Sequence, residues 1–415
     1  MYNFDEIIDR ENSPYSYSSK WAKSGFALSC FGEDLPADRI ALQVADMDFK
    51  CPPAVIKALS GVAEHGIYGY STPGDEYFKA IRKWYIDKYD LNIDDYQIYH
   101  SHGTHKAIEE AVKRVTKQGD KVIVLTPSYS YRRDIEPIGR SMLPVYLDYI
   151  NGNYYINYEA FEEACKEAKA FILCNPHNPT GRIFTDDELI KMAYVARYYN
   201  VVIISDEVHG DIVRKECRFK PLVKVVGYRG IITCNGINKQ FNLAGLASSY
   251  FIIKETKLNK LYDSYHSSAS PFEIAAMPAC LNESREWLKE LNEYLDQEID
   301  EVINYIHNNM KLAKVARPEG TYILWIDFSD YGFSDSELHD IIYHEAHVIA
   351  QSGSHFDYND QFQRFCIASP KKMVMDAFKR IASSINNRKK SWNEYYLFAM
   401  ETFVDQLWLN TLWNI

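Results

Sequence analysis

Four short apolar runs recur through the middle of the chain, each cut off by a polar or turn-forming pair. Lys121–Leu125 ends at Thr126-Pro127, Ala170–Cys174 at Asn175-Pro176, Val201–Ser205 at Asp206-Glu207, and Gly230–Cys234 at Asn235-Gly236. Their apolar positions are continuous and rich in β-branched residues, which is how strands buried on both faces of a parallel sheet read. Between them, Tyr158–Lys169 and Asp186–Tyr199 carry helical spacing, the second through Leu189, Ile190, Ala193, Val195 and Ala196. Strand, helix, strand predicts a doubly wound α/β domain with a mainly parallel sheet. Ala247–Ile253 reads as a further strand.

The pattern changes after residue 285. Ser284–Asn309 reads as one long, charged amphipathic helix, Tyr322–Phe328 and Gln363–Ala368 as strands, and Ser336–Glu345 and Lys371–Ile385 as helices. This predicts a smaller α+β domain. The expected organisation is an irregular N-terminal segment (1–50) packing with the small domain, a large α/β domain (51–285), the small domain (286–388) and an aromatic-rich extension (389–415). In the extension, Trp392, Tyr395, Tyr396, Ala399, Phe403 and Leu407 form a rough helical stripe among Glu394, Glu401 and Asp405. Packing on the protein's own surface is the plainer reading of that stripe, and a partner interface the sharper one.

Composition narrows the classes. At 415 residues the chain is long enough for two or three domains. Hydrophobic residues at 47% and charged residues at 25% exclude a disordered or collagen-like chain. A net charge of −11 argues against nucleic acid or anionic lipid as the main partner. No run of about 18 apolar residues is present, so no transmembrane helix is expected. The acidic start, Met1 to Arg10, lacks the apolar stretch of a secretory signal. Eight cysteines without a C-x-x-C pair read as reduced thiols in a cytoplasmic protein.

Ligands of open parallel sheets bind beyond the carboxyl ends of the strands. There the chain places Asn175-Pro-His-Asn-Pro-Thr-Gly181, then Asp206-Glu-Val-His209, then Gly236-Ile-Asn-Lys239-Gln-Phe-Asn-Leu-Ala-Gly245. An amide, a carboxylate with an imidazole, and a lysine on one rim suit a cofactor with an aldehyde and a pyridine ring. The lysine binds the aldehyde covalently, and the carboxylate keeps the ring nitrogen protonated.

These runs resemble the class I/II aminotransferases of fold type I, which use pyridoxal 5′-phosphate (PLP). Val44-Ala-Asp-Met-Asp-Phe49 before Pro52-Pro53, together with Asp206-Glu-Val-His209, resembles the MalY/PatB-type cystathionine β-lyase branch of that family. Supporting fragments are Asp9-Arg10, Lys20-Trp21, Gly320-Thr-Tyr322 and Arg364-Phe-Cys-Ile-Ala-Ser-Pro370. The resemblance spans residues 5–388 and implies a large sheet domain plus a smaller α+β domain.

It also implies roles. Lys239 matches the lysine that carries the cofactor, and Asp206 the aspartate paired with its pyridine nitrogen. Asn178 and His209 match the pair that bonds its ring oxygen. Gly103, Thr104 and His105 open a helix whose N-terminus suits a phosphate. Tyr129 falls where an aromatic ring stacks on the cofactor. Tyr70 matches a tyrosine that reaches into the neighbouring subunit's site, which implies a homodimer with shared active sites and a role in assisting the leaving group. Arg364 matches the arginine that grips the substrate's α-carboxylate, with the backbone around Ala45 helping.

Two departures stand out. Gly236, Asn238 and Gln240 replace the usual small and hydroxylated residues around the lysine, leaving the amides of Asn238 and Gln240 as donors to the phosphate. Gln43 stands where relatives carry a pocket-shaping Trp. The activity implied is carbon–sulfur β-elimination from a sulfur amino acid. An aminotransferase with the same residues and a PLP-binding regulatory protein acting by contact are the alternatives.

Overall fold

The computed structural model describes residues 2–23, 25–31, 35–129 and 131–389, so the aromatic stripe beyond residue 389 lies outside the described residues. Seven strands build the main sheet: β1 (Gln97–His102), β2 (Lys121–Thr126), β3 (Ser141–Tyr146), β4 (Ala168–Cys174), β5 (Val202–Asp206), β6 (Ile231–Gly236) and β7 (Ser248–Ile253). Their order is β1-β7-β6-β5-β4-β2-β3. All neighbouring pairs are parallel except the two made by β7, which runs antiparallel to β1 and β6.

Burial on both faces explains the continuous apolar runs. Ile123, Leu125, Phe171, Leu173, Ile203 and Ile231 point into one core. Val122, Val124, Ala170, Ile172, Ile204 and Ile232 point into another, against Ala107, Ile108 and Ala111 of helix Thr104–Val115. Phe171 meets Phe161 of helix Tyr158–Glu167 edge-on at 5.0 Å. Truncating a fully buried phenylalanine of this kind costs about 3–5 kcal/mol.

A second, four-stranded antiparallel sheet is formed by β8 (Lys314–Val315), β9 (Ile323–Asp327), β10 (Gln351–Ser352) and β11 (Phe362–Cys366), in the order β8-β9-β11-β10. Its core joins Leu324, Ile326 and Phe365 to Ile299, Val302 and Ile306 of helix Arg285–Asn309 and to Val374 and Phe378 of helix 371–389. The N-terminal segment divides between the two cores. Ile40–Ala41 pairs parallel with Val348–Ile349, and Ala27 and Phe31 join the second core. Phe4, Met47 and Phe49 join the first. The segment therefore staples the two cores together and does not belong to the smaller one alone. The expected helix Ser336–Glu345 is α-helical over Asp335–His339 and π-helical over Asp340–Glu345.

Candidate active site

The parallel strands deliver their carboxyl ends to one rim, where Cys174 lies opposite Asp206 and Asp206 opposite Cys234. Because β7 is antiparallel, it starts at this rim, with Ser248 opposite His102 and Ser249 opposite Gly236. Gly236 is needed for that approach, since a Cβ there would sit 2.5 Å from Ser249 Oγ. The rim encloses a cavity of about 230 Å³. Ala45, Gly103, Thr104, His105, Tyr129, Asn178, Asp206, His209, Asn238 and Lys239 all line it, together with Tyr131 and Arg133.

Lys239 Nζ donates to the Ala45 carbonyl at 2.8 Å, and burial lowers the pKa of its ammonium, favouring the neutral amine. Asp206 accepts from Tyr131 Oη at 2.7 Å and from the Val208 N–H at 3.2 Å. Burial nevertheless outweighs these bonds and raises the Asp206 pKa. The His209 imidazole is driven well below its usual range by burial first and then by the nearby Lys239 and Arg364 side chains, which favours its neutral form. Tyr129 shows the reverse balance. Burial raises its pKa, but Arg133, Arg364 and Lys239 together bring it below the ordinary value.

Three buried polar atoms of lining residues have no hydrogen-bond partner: Asn178 Oδ1, His209 Nδ1 and Asn238 Oδ1. Gly103, at φ +93°, provides no side-chain cap to helix Thr104–Val115, which leaves first-turn N–H groups free beside the cavity.

Arg364 lies behind Tyr129, its guanidinium 5.5 Å from the tyrosine ring and 5.0 Å from Phe356. It is 1% exposed; Nη2 donates to the Gln43 carbonyl, while Nε and Nη1 have no partner. A buried guanidinium with two free donors is an anion site in waiting. Tyr70 is fully exposed between helices Pro53–His65 and Asp75–Tyr89 and does not line this chain's cavity.

The segment Val44–Phe49 is clamped from both sides. Asn242 accepts from the Met47 N–H at 3.0 Å and donates to the Met47 and Phe49 carbonyls at 3.0 and 2.7 Å. Asp46 and Asp48 bind Arg10 at 2.8 and 2.6 Å, and Asp48 also accepts from Lys20, Trp21 and Ser369. The scattered fragments Arg10, Lys20-Trp21, Asp46-Met-Asp48 and Ser369 thus converge on one buried charge cluster. Its consequence is to present the Ala45 carbonyl to Lys239 and the Gln43 carbonyl to Arg364.

The profile of the family described as aminotransferase class I and II matches residues 37–381. The chain belongs to that family. It is 30% identical over 395 residues to cystathionine beta-lyase PatB of Bacillus subtilis, covering 92% of this chain and 100% of the relative. A PLP-bound structure from Clostridium difficile 630 superposes with a TM-score of 0.87 at 37% identity, covering 93% of this chain and 100% of that one. The PLP-bound C–S lyase of Staphylococcus hominis superposes at 0.85 with 29% identity, covering 93% and 98%. The fold is that of the fold type I PLP-dependent enzymes, as the motifs implied.

The residues present fit the group those neighbours hold. A carboxylate, an uncapped helix N-terminus, three unsatisfied polar atoms and a lysine converge on one cavity. Two expectations need correction. The Gln240 amide does not line the cavity, because it bonds Asp211 at 3.2 Å and the Gly236 carbonyl at 2.6 Å. The Gln43 side chain turns away as well, donating to the Lys20 carbonyl at 2.8 Å, so Gln43 acts here through its backbone. Asn238 lines the cavity, but its Nδ2 donates to Ser249 Oγ at 3.0 Å.

Four side chains of the site were assigned no role from the sequence. Tyr131 holds Asp206, Arg133 lies 5.1 Å from the Tyr129 ring, Tyr322 Oη donates to Ala45 O at 3.0 Å, and Asn242 makes the clamp. Tyr131 and Arg133 closely follow Tyr129, Tyr131 as the N-cap of the short helix Arg132–Ile135 and Arg133 within it. Tyr322 and Asn242 fall inside motifs already recognised, so proximity to those motifs was the available signal.

Proposed function

We propose that the protein is a PLP-dependent carbon–sulfur β-lyase that cleaves a sulfur amino acid to a thiol, pyruvate and ammonia. The observation that carries this reading is the contact between Lys239 Nζ and the Ala45 carbonyl. It builds the segment that marks the cystathionine β-lyase branch directly into the lysine site. PatB of Bacillus subtilis and the Staphylococcus hominis enzyme, both named as lyases, match nearly the whole chain.

Bound in the cavity, PLP supplies an aldehyde for a lysine amine and an electron sink for the pair left when a proton leaves Cα. Lys239 Nζ is the group that holds the cofactor and then takes that proton, a task favoured by its lowered pKa. Asp206 offers its carboxylate to the ring nitrogen, steadied by Tyr131. The Asn178 amide, through Nδ2, and the His209 imidazole, through a ring N–H, would donate to the ring oxygen. Gly103, Thr104 and His105, at the open helix N-terminus, would hold the phosphate, with Asn238 lining the cavity beside them. Tyr129 packs on the ring, and Arg364 grips the α-carboxylate through Nε and Nη1.

The active form in this proposal is a homodimer in which Tyr70 enters the partner's site and assists the departing thiolate. Support comes from the exposure of Tyr70 with its neighbours Ile67 and Tyr68. We place the protein in the cytoplasm, a reading supported by eight free cysteines. Among the described residues no helix is long and apolar enough to cross a membrane.

The competing activity is transamination, favoured by the 37% identical Clostridium difficile protein, which is described provisionally as an aminotransferase. A product assay separates the two. With L-cystathionine or L-cysteine, release of thiol, pyruvate and ammonia is expected. A 2-oxo acid formed only with an amino acceptor, and no thiol from any sulfur amino acid, would select the aminotransferase.

A further inference from the structure

Outside the cavity lining, the segment Leu338-His-Asp-Ile-Ile-Tyr-His344 places two histidines five positions apart. On an α-helix of 3.6 residues per turn such a pair does not share a face. Here the helix does not stay α. A capping box between Ser334 and Glu337 starts Asp335–His339, which widens into the π-helical turn Asp340–Glu345. In π geometry residues i and i+5 are successive along one face, and such turns are rare and concentrate at functional sites. The turn brings one ligand atom each of His339, Asp340 and His344 within 4.8 Å of one another, the one such group among the described residues.

We propose that this turn is a binding site for a borderline divalent transition-metal ion, with His339, Asp340 and His344 as ligands and zinc as the test case. Two imidazoles and a carboxylate are a donor set for zinc, nickel or copper, and a poor one for calcium or magnesium. The His339 imidazole is held in place in advance. His339 stacks on buried Tyr343 at 4.3 Å and 15°, and Tyr343 is itself fixed by its hydroxyl bond to the Ala350 carbonyl at 3.0 Å. His344 packs edge-on against Phe31 at 5.7 Å and 88°. None of the three donor side chains has a hydrogen-bond or ion-pair partner among the described residues, so no existing bond must break on binding. Asp340 and His344 are exposed, and side-chain rotation lets them close to the ~3 Å ligand spacing that bonds of about 2.0–2.2 Å require. Water completes the coordination.

The test is a zinc titration of tag-free, chelator-dialysed holoenzyme by calorimetry, with its cofactor bound so that the active-site groups are occupied. Wild-type protein is expected to take up one saturable equivalent. His344→Ala and Asp340→Asn should weaken that equivalent by more than the roughly 10–100-fold that loss of even an outer-shell partner costs. His307→Ala, an exposed histidine elsewhere, should leave it unchanged. Circular dichroism of each variant shows that the fold is retained. Because the ligands lie outside the cavity, turnover of the His344→Ala holoenzyme should match the wild type. In the copper-loaded wild-type protein, electron paramagnetic resonance should report two nitrogen ligands, and one in His344→Ala. Absence of a saturable equivalent in the wild type, or equal zinc affinity in all four proteins, would overturn the proposal.

Discussion

Asp48 and Asp206 are both nearly fully buried aspartates, yet their surroundings are opposite. Asp48 accepts from the side chains of Lys20, Arg10, Trp21 and Ser369. Burial raises its pKa, but the Lys20 and Arg10 charges outweigh burial and bring it below the ordinary carboxylate value. Asp206 has one hydroxyl and one N–H, and burial prevails. The same contrast separates Arg10, bonded to Asp46, Met47 and Asp48, from Arg364, with two nitrogens unpartnered. One region is a completed structural joint. The other carries an electrostatic deficit that an incoming cation at Asp206 and an incoming anion at Arg364 would remove. In one fold, satisfied charges hold the frame and unsatisfied ones mark where ligands enter.

The contrast breaks most visibly at Lys239. Lys239→Ala should abolish turnover and the yellow absorbance of lysine-bound cofactor while the protein stays folded. Borohydride reduction followed by peptide mapping should place the cofactor on Lys239 in the wild type; an adduct on another lysine would remove the site assignment altogether.

Next come the two aspartates. Asp48→Asn removes the 2.7 Å partner of the fully buried Lys20 and leaves it only the longer, 3.8 Å ion pair to Asp46. Removing one partner of a buried pair costs about 3–5 kcal/mol, and chemical denaturation should show it in the cofactor-free protein. Asp206→Asn should show no such loss. In the holoenzyme the order reverses. Asp206→Ala should lower kcat by the 10²–10³-fold (about 2.7–4 kcal/mol) typical of losing a preorganised electrostatic group, and His209→Ala by less. Equal, small activity losses at both positions would mean that the ring nitrogen does not sit at Asp206.

A smaller effect is expected at Arg364. Arg364→Lys keeps a charge but loses the planar fork. KM should rise while the cofactor stays bound, and loss of PLP instead would move Arg364 to the phosphate.

How much of this was legible in the sequence follows from the same physics. Strands β2, β4, β5 and β6 lie inside the sheet and are covered on both faces, so their apolar runs are unbroken. Strands β1 (QIYHSH) and β3 (SMLPVY) form its two edges, are only partly covered, and give no such run. They were not foreseen, nor were helices Pro53–His65, Asp75–Tyr89 and Pro271–Glu283. Helix Pro271–Glu283 is apolar on several sides because it packs on three other helices and the sheet, so periodicity gave it no signature. The site was legible wherever a residue sits at the carboxyl end of a strand, as Asp206 does on β5, or within a few residues beyond one, as Asn178 and Lys239 do after β4 and β6. It was illegible where function runs through the backbone. Nothing in the letters Gln43 and Ala45 tells that their carbonyls would meet Arg364 and Lys239, because that follows from a charge cluster assembled from four distant fragments.

The smallest expected effect is also the sharpest form of the comparison, because it predicts opposite signs. The Asp48 pKa is lowered on folding, so its contribution to stability is present above the unfolded aspartate pKa of about 3.9 and is lost as pH falls through the folded value. The wild-type advantage over Asp48→Asn should therefore be constant near neutrality and shrink in acid. The Asp206 pKa is raised on folding, so the native cofactor-free protein holds that proton more tightly than the unfolded chain does. Its penalty is absent below about pH 3.9 and grows as pH rises through the folded value. Asp206→Asn should match the wild type in acid and become the more stable protein towards neutrality. Urea midpoints of the two variants and the wild type from pH 3 to pH 8, all without cofactor, read both trends directly. Adding PLP supplies the cation that Asp206 lacks, and should stabilise the wild type more than Asp206→Asn while treating Asp48→Asn like the wild type. Parallel pH profiles for the two variants, or equal stabilisation of all three proteins by PLP, would show that the two aspartates do not differ in kind.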